Sequence, residues 1–202
     1  MINVGLTGGI ATGKSLVSNF FKELGAYIID YDVVSHEVIE PQRRAWKKIV
    51  DHFGEGILDE DLTIDREKLG EIVFNASEER KKLESIVHPE IFIETGRQVR
   101  AIKNADHKAV IIQDIPLLFE VNLEKTVDKI IVVYTSEETQ IRRLIERDKY
   151  DEDHAKKRIS SQMSLDEKAK LADYVIGNDG SIDETKKQVE DVFKALRGNE
   201  DG

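Results

Sequence analysis

Residues 8 to 15 read Gly-Gly-Ile-Ala-Thr-Gly-Lys-Ser: two glycines bracketing four residues, then a lysine and a hydroxyl. That spacing suits the cradling of a polyphosphate. Glycine leaves the backbone N–H groups able to curl round an anion where a Cβ would intrude. A helix beginning near Gly13 adds its positive end. Lys14 has the length to reach the outer phosphates, and the Ser15 hydroxyl can ligate Mg²⁺. Gly8, Gly9, Ile10, Ala11, Thr12, Gly13, Lys14 and Ser15 are therefore the candidates for binding a nucleotide. The plainer reading is a chance match in a glycine-rich turn. The flanks count against it: the apolar run 2–7 precedes the motif and the run 16–21 follows it, giving strand, turn and helix.

Two carboxylates fall where a phosphate chemistry needs them. Asp30-Tyr31-Asp32 closes a second apolar run. Ligands of open α/β sheets bind beyond the carboxyl ends of the strands, which places these aspartates near the loop. Asp32 is the candidate acceptor for the proton of a substrate hydroxyl; the alternative is an aspartate that ends a strand or caps a helix. Asp114 ends the run Ala-Val-Ile-Ile-Gln at 109–113, close to the pattern in which a strand-end carboxylate orients Mg²⁺. Gln113 interrupts that run. Pro116-Leu117-Leu118-Phe119-Glu120 follows as a loop beside the site.

Arg143 and Arg147 are four apart and share one helix face, with Ile141, Leu144 and Ile145 defining the buried one. Two readings stand: a solvated charged face, or a flap whose arginines stabilise charge on a transferring phosphoryl group. Arg158 and Gln162 form a similar pair, read as solvated. His88 before Pro89 reads as a helix cap with proline at the first helical position. It has no second histidine or cysteine at metal-ligand spacing, so no metal site is expected there.

These side chains need a scaffold. Five apolar, β-branched runs read as strands: 2–7, 26–30, 109–115, 129–135 and 174–177. Nearly continuous runs of this kind suit strands buried on both faces of a parallel sheet. The first helix carries Leu16, Val17, Phe20, Phe21 and Leu24, and Gly25 ends it. Thr135-Ser136-Glu137-Glu138 reads as a capping box, and the last helix runs about 182–196. Between residues 30 and 109 no good strand occurs. That stretch reads as helices over 35–40, 43–53, 66–74, 77–87 and 89–103, with turns at 54–56 and at His88-Pro89. It is far longer than a plain crossover and is read as an insertion. Residues 148–170 are highly charged and poor in large apolar side chains, which suggests a mobile helical flap that buries little.

The 202 residues suffice for one domain with a real core and an inserted subdomain. A formal net charge of −10 repels nucleic acid, so no polynucleotide partner is expected. The absence of cysteine excludes disulfides and thiolate metal sites and suits the cytoplasm. Met1 leads straight into a strand, so no signal peptide is expected, and no apolar run approaches a membrane span. The tail 198–202 is expected to fray.

Together these features resemble the dephospho-coenzyme A kinases, P-loop kinases related to the nucleoside monophosphate kinases. The matching stretches are 6–10 through Lys14-Ser15, Ile29-Asp30-Tyr31-Asp32 with Val33, Val34 and His36, His88-Pro89-Glu90-Ile91, and Pro116-Leu117-Leu118-Phe119-Glu120. Gln140, Arg143, Arg147-Asp148, Gln162 and Ala172-Asp173-Tyr174-Val175-Ile176 with Asn178 and Gly180 complete them. The resemblance implies a five-stranded parallel sheet in the order 2-3-1-4-5, with a core of about 1–34 and 106–202. It also implies a helical substrate-side insertion of about 35–105 and a helical lid of about 143–170. It implies transfer of the γ-phosphate of ATP, with Mg²⁺, to the ribose 3′-hydroxyl of dephospho-CoA. Asp32 then matches the family's catalytic aspartate and Lys14, Arg143 and Arg147 its cationic groups. Asn178 joins the nucleotide-binding residues, Ser15 and Asp114 hold the metal, and His88 and Leu117 join Asp32 on the acceptor side. Ala11 and Thr12 stand where the family often has Gly and Ser, and Tyr31 where it often has Ala. None of these removes a functional group. Another small-molecule or nucleoside monophosphate kinase is the near alternative. A GTPase switch is more distant, since Asp51-His52-Phe53-Gly54 lies in the insertion and no guanine-reading Asn-Lys-x-Asp follows.

Overall fold

A computed structural model describes residues 1–198. The sheet is built from β1 (Ile2–Gly8), β2 (Tyr27–Asp30), β3 (Val110–Asp114), β4 (Lys129–Tyr134) and β5 (Tyr174–Gly177), in the order β2-β3-β1-β4-β5. β3 is buried at every position, and β1 and β4 through most of their length. Strands so enclosed cannot leave one face to water, and the ladders of β1 with β3 and with β4, and of β4 with β5, are parallel. Gln113, the polar break in β3, is satisfied in place: its amide donates to the Asn3 side-chain carbonyl at 2.7 Å.

Helices α1 (Lys14–Glu23) and α9 (Ile182–Arg197) cover the sheet with an apolar core that includes Leu6, Phe21, Ile112, Ile131, Ile176 and Phe193. Gly25 stops α1. It takes a φ of +94°, its N–H reaches Lys22 O and the Ala26 N–H reaches Phe21 O, the paired bonds of a Schellman terminus. α9 opens with a full capping box between Ser181 and Glu184. At α6 (Glu137–Asp148) the expected box is absent: Ser136 is the N-cap, but its partner three residues on is Thr139.

The chain divides into two compact units, Met1–Ile29 with everything from Ile102 onward, and Asp30–Ala101. The second holds α2 (Tyr31–Glu37), α3 (Arg44–Phe53), α4 (Arg66–Asn75) and most of α5 (Ser77–Ala105). Its own core gathers Ala45, Ile49, Ile57, Ile64, Leu69 and Ile86. Two expectations are corrected there. The helix expected from residue 35 starts at Tyr31, because Asp30 caps it by accepting from the N–H groups of Asp32 and Val33. The turn expected at His88-Pro89 does not exist: α5 runs through it with Pro89 inside. Proline removes one helical hydrogen bond. The apolar anchors Ile86 and Ile91 and the buried Glu90, held by Lys48 and Arg44, flank that gap and keep the helix packed across it.

The flap region contains α6, α7 (Glu152–Ser160) and α8 (Leu165–Leu171). α7 is mostly exposed. α8 departs from the expectation that this region buries little: Leu165 is buried and Lys168 is fully so. Of the tail, residues 199–202 lie outside the described part.

Candidate active site

The loop between β1 and α1 owes its shape to two left-handed residues, Ala11 at φ +60° and Gly13 at φ +85°. A Cβ on Gly13 would also strike the Asn178 amide, so glycine is required there twice over. Every carbonyl from residue 8 to residue 12 is held by a donor. Gly8 O accepts from Lys168 Nζ at 3.0 Å and Gly9 O from the Thr12 hydroxyl at 3.0 Å. Ile10 O accepts from Gln140 Nε2 at 2.7 Å, Ala11 O from Arg143 at 3.2 Å and Thr12 O from Asn178 Nδ2 at 2.7 Å. Five carbonyl dipoles are thus committed to the protein. The N–H groups of Lys14 and Ser15 open α1 and have no carbonyl one turn before them, and the first turn carries no acidic side chain to offset their charge. The arrangement suits an anion site.

Lys14 is ion-paired with Asp114, the last residue of β3, which lies beside Leu6 of β1 in register. Asp114 is nearly fully buried and Lys14 mostly so, whereas Ser15 is exposed on the first turn of α1. One carboxylate and one hydroxyl suit Mg²⁺, which keeps several waters and takes phosphate oxygens for the rest. Among the described residues no cluster of three or more acidic or histidine side chains offers a fuller protein cage.

A cavity of about 510 Å³ adjoins the loop, lined by Ala11, Gly13, Leu16, Arg143, Arg147, Asn178 and their neighbours. Asn178 is buried and locked: its amide donates to Thr12 O while its carbonyl accepts from the Thr185 hydroxyl at 3.0 Å. Arg143 spans the wall, giving one N–H to Ala11 O and another to Asn178 O at 2.7 Å. Arg147 is more exposed and makes two bonds to Asp148, holding that carboxyl below the usual range. Next to this wall Asp179 takes the Thr135 hydroxyl at 2.5 Å and the Ser136 N–H at 3.0 Å, fastening β5 to the start of α6.

In the second unit, Asp32 lies in the first turn of α2 with its side chain exposed. The helix cap, which was the alternative reading for Asp32, is made by Asp30. Tyr31 sits half-buried beside it; burial pushes the phenol's pKa up, against a hydrogen bond with Thr95. His88 faces a separate cavity of about 390 Å³, lined mainly by apolar side chains with His36 and Arg66. Leu117 is partly exposed in the turn after β3.

A family model for dephospho-CoA kinase matches residues 2–184. The dephospho-CoA kinase of Bacillus cereus strain ZK is 47% identical over 191 residues, 95% of each chain. The chain belongs to the dephospho-CoA kinase family. A dephospho-CoA kinase from Campylobacter jejuni is 31% identical, superposes with a TM-score of 0.74 and shares 97% of this chain and 98% of its own. A shikimate kinase from Acinetobacter baumannii, at 15% identity and a TM-score of 0.54, shares the fold. The P-loop kinase architecture is therefore that of the family, with the strand order read from the resemblance.

Against this family background, four side chains that sequence reasoning did not assign to the site hold its shape. Gln140 grips Ile10 O and lies on the buried face of α6, whereas Ile145, expected on that face, is exposed. Gln162, read as solvated, accepts from the Ile10 N–H at 3.0 Å. Lys168 and Glu120 form a buried pair at 2.8 Å. Arg143, left between two readings, is tied to the loop's backbone, so the solvated reading does not apply to it. A single signal pointed at this set: Gln140, Gln162 and Glu120 all fall inside the stretches that carry the family resemblance.

Proposed function

We propose that the protein transfers the γ-phosphoryl group of ATP to the ribose 3′-hydroxyl of dephospho-CoA, producing ADP and CoA, the last step of CoA synthesis. The observation that carries this reading is the preset loop: five outward-held carbonyls, free helix-start N–H groups, and Lys14 at its centre, in a chain of this family. Phosphoryl transfer needs little covalent help from protein; positioning and charge stabilisation supply most of the rate.

Each residue then has a task. The N–H groups of Gly13–Ser15 and the Lys14 ammonium bind the phosphates. Ser15 and Asp114 are the residues that would hold Mg²⁺, which when bound offsets charge on the phosphate oxygens. The cavity beside Asn178 accepts the adenosine end. Arg143 braces the loop and Arg147, exposed and paired with Asp148, meets charge on the transferring group. Asp32 takes the proton of the acceptor hydroxyl as its oxygen bonds to phosphorus and the bridging oxygen leaves with ADP. His88 and Leu117 are assigned to the acceptor side. A base matters for a hydroxyl acceptor and little for a phosphate acceptor, which favours this reading over a nucleoside monophosphate kinase. We place the reaction in the cytoplasm; no helix among the described residues is long and apolar enough to cross a membrane.

The test is ADP release from Mg²⁺-ATP over a panel of acceptors: dephospho-CoA, the nucleoside monophosphates, shikimate and water. Turnover confined to dephospho-CoA is expected. Equal or better turnover with another acceptor would overturn the assignment.

A further inference from the structure

We propose that Lys168 is a positioning residue of the phosphate-binding loop. It fixes the peptide between Gly8 and Gly9 and fastens the loop to the α7–α8 turn. The proposal rests on the reading that this loop binds ATP.

The Lys168 ammonium is wholly buried, donating to Gly8 O at 3.0 Å and to Glu120 Oε1 at 2.8 Å. Enclosing an ammonium costs several kcal/mol, and apolar side chains of similar volume usually stabilise such a site as well or better. A helix that needed only an anchor would serve with leucine or methionine. Glu120 also bears a cost: its second oxygen is buried without a hydrogen-bond partner. Its first oxygen accepts, besides Lys168, the Met163 N–H at 3.1 Å. The residue before Met163 is Gln162, whose carbonyl takes the Ile10 N–H. One ion pair therefore stands between two grips on the loop, at residues 8 and 10.

The grip at residue 8 matters because the Gly8–Gly9 peptide has glycine on both sides. No side chain restrains its rotation, so it is the peptide of the loop that flips at least cost. Flipped, it would turn a carbonyl toward the bound phosphates in place of the wall. Lys168 holds that carbonyl outward. Its own charge is spent on Glu120, so it shapes the anion site without competing for the anion.

The experiment uses the double variant Lys168→Met with Glu120→Gln, which leaves no unpaired buried charge. Fluorescent methylanthraniloyl-ADP binding, steady-state kinetics and thermal melting are measured beside wild type. We expect a folded protein whose nucleotide Kd and KM for ATP rise about tenfold or more, with kcat lowered and KM for dephospho-CoA unchanged, since misplacement of about 1 Å can cost ~10²-fold. A folded double variant with Kd, KM for ATP and kcat within about twofold of wild type would overturn the proposal. Should the double variant not fold, the wild-type chain decides: slow proton exchange of the Lys168 ammonium without nucleotide is expected from its two buried bonds, and exchange as fast as that of a solvated lysine contradicts the tie. Failure of wild type itself to bind the fluorescent ADP would count against the phosphate site and not against Lys168.

Discussion

Lys14 and Asp114 are ion-paired, the cation of the phosphate-binding loop against the carboxylate that ends β3. Both are largely shielded from water, where a charge needs a partner. Each has a second partner of opposite charge waiting in the proposed reaction: phosphate for Lys14, Mg²⁺ for Asp114. Binding of Mg²⁺-ATP is then an exchange of ion pairs rather than the burial of new charge.

That exchange gives the first prediction. Asp114→Asn breaks the ion pair with Lys14 and removes one proposed metal ligand. Affinity for ADP without Mg²⁺ should rise by a few-fold, while kcat with Mg²⁺-ATP falls ~10²-fold or more. Titrations with and without Mg²⁺ separate the two effects. Weaker metal-free ADP binding in this variant would contradict the pairing account.

Asp32→Asn keeps the side chain's shape and removes the proposed base. Loss of ~10²- to 10⁴-fold in kcat is expected, with KM for the acceptor nearly unchanged, because Asp30 and not Asp32 caps α2. Circular dichroism should show the helix intact. A loss under about threefold would assign the proton to another group.

The two arginines should separate. Arg143 holds two backbone carbonyls, at Ala11 and Asn178, so Arg143→Ala should raise KM for ATP and lower the melting temperature as well as kcat. Arg147 is exposed and bonds Asp148 beside it, so Arg147→Ala should cut kcat ~10²-fold at nearly constant stability. Identical profiles for the two variants would show that they act as one unit.

Much of this site was readable before the structure because it is contiguous in the chain. The loop from Gly8 to Ser15 needs only its neighbours, and Asp114 follows from a strand's end. Lys168, Gln140 and Gln162 were opaque for the opposite reason. Each is defined by a carbonyl or N–H of the loop more than a hundred residues away in the chain, and a polar residue in a charged helix looks solvated until the helix is docked. Pro89 misled because local propensity breaks a helix there, whereas the packing of Ile86 and Ile91 on either side carries α5 through. Asp30 and Asp32 compete for one cap, and only backbone geometry distinguishes them.

Asp179 provides a pH test. Partial burial raises its pKa, but hydrogen bonds from the Thr135, Thr139 and Ser136 hydroxyls and from the Ser136 N–H outweigh this and bring it below the usual value. A carboxyl lowered in the folded state stabilises fully above its unfolded pKa of about 3.9, and that contribution fades as pH falls below it. Asp179 is exposed, so solvent screens its charge; Asp179→Asn should therefore cost less than about 1 kcal/mol in urea unfolding at pH 7, and the gap to wild type should shrink as pH falls below about 4. A gap independent of pH would mean that the charge on Asp179 contributes nothing.

The most direct test of the central claim is ³¹P NMR of the products formed from ATP and dephospho-CoA. The account predicts ADP together with a new phosphomonoester on the ribose 3′ oxygen, formed in equal amounts by wild type and lost with Lys14→Met. ADP accompanied by inorganic phosphate, or a monoester on any other oxygen, would contradict it.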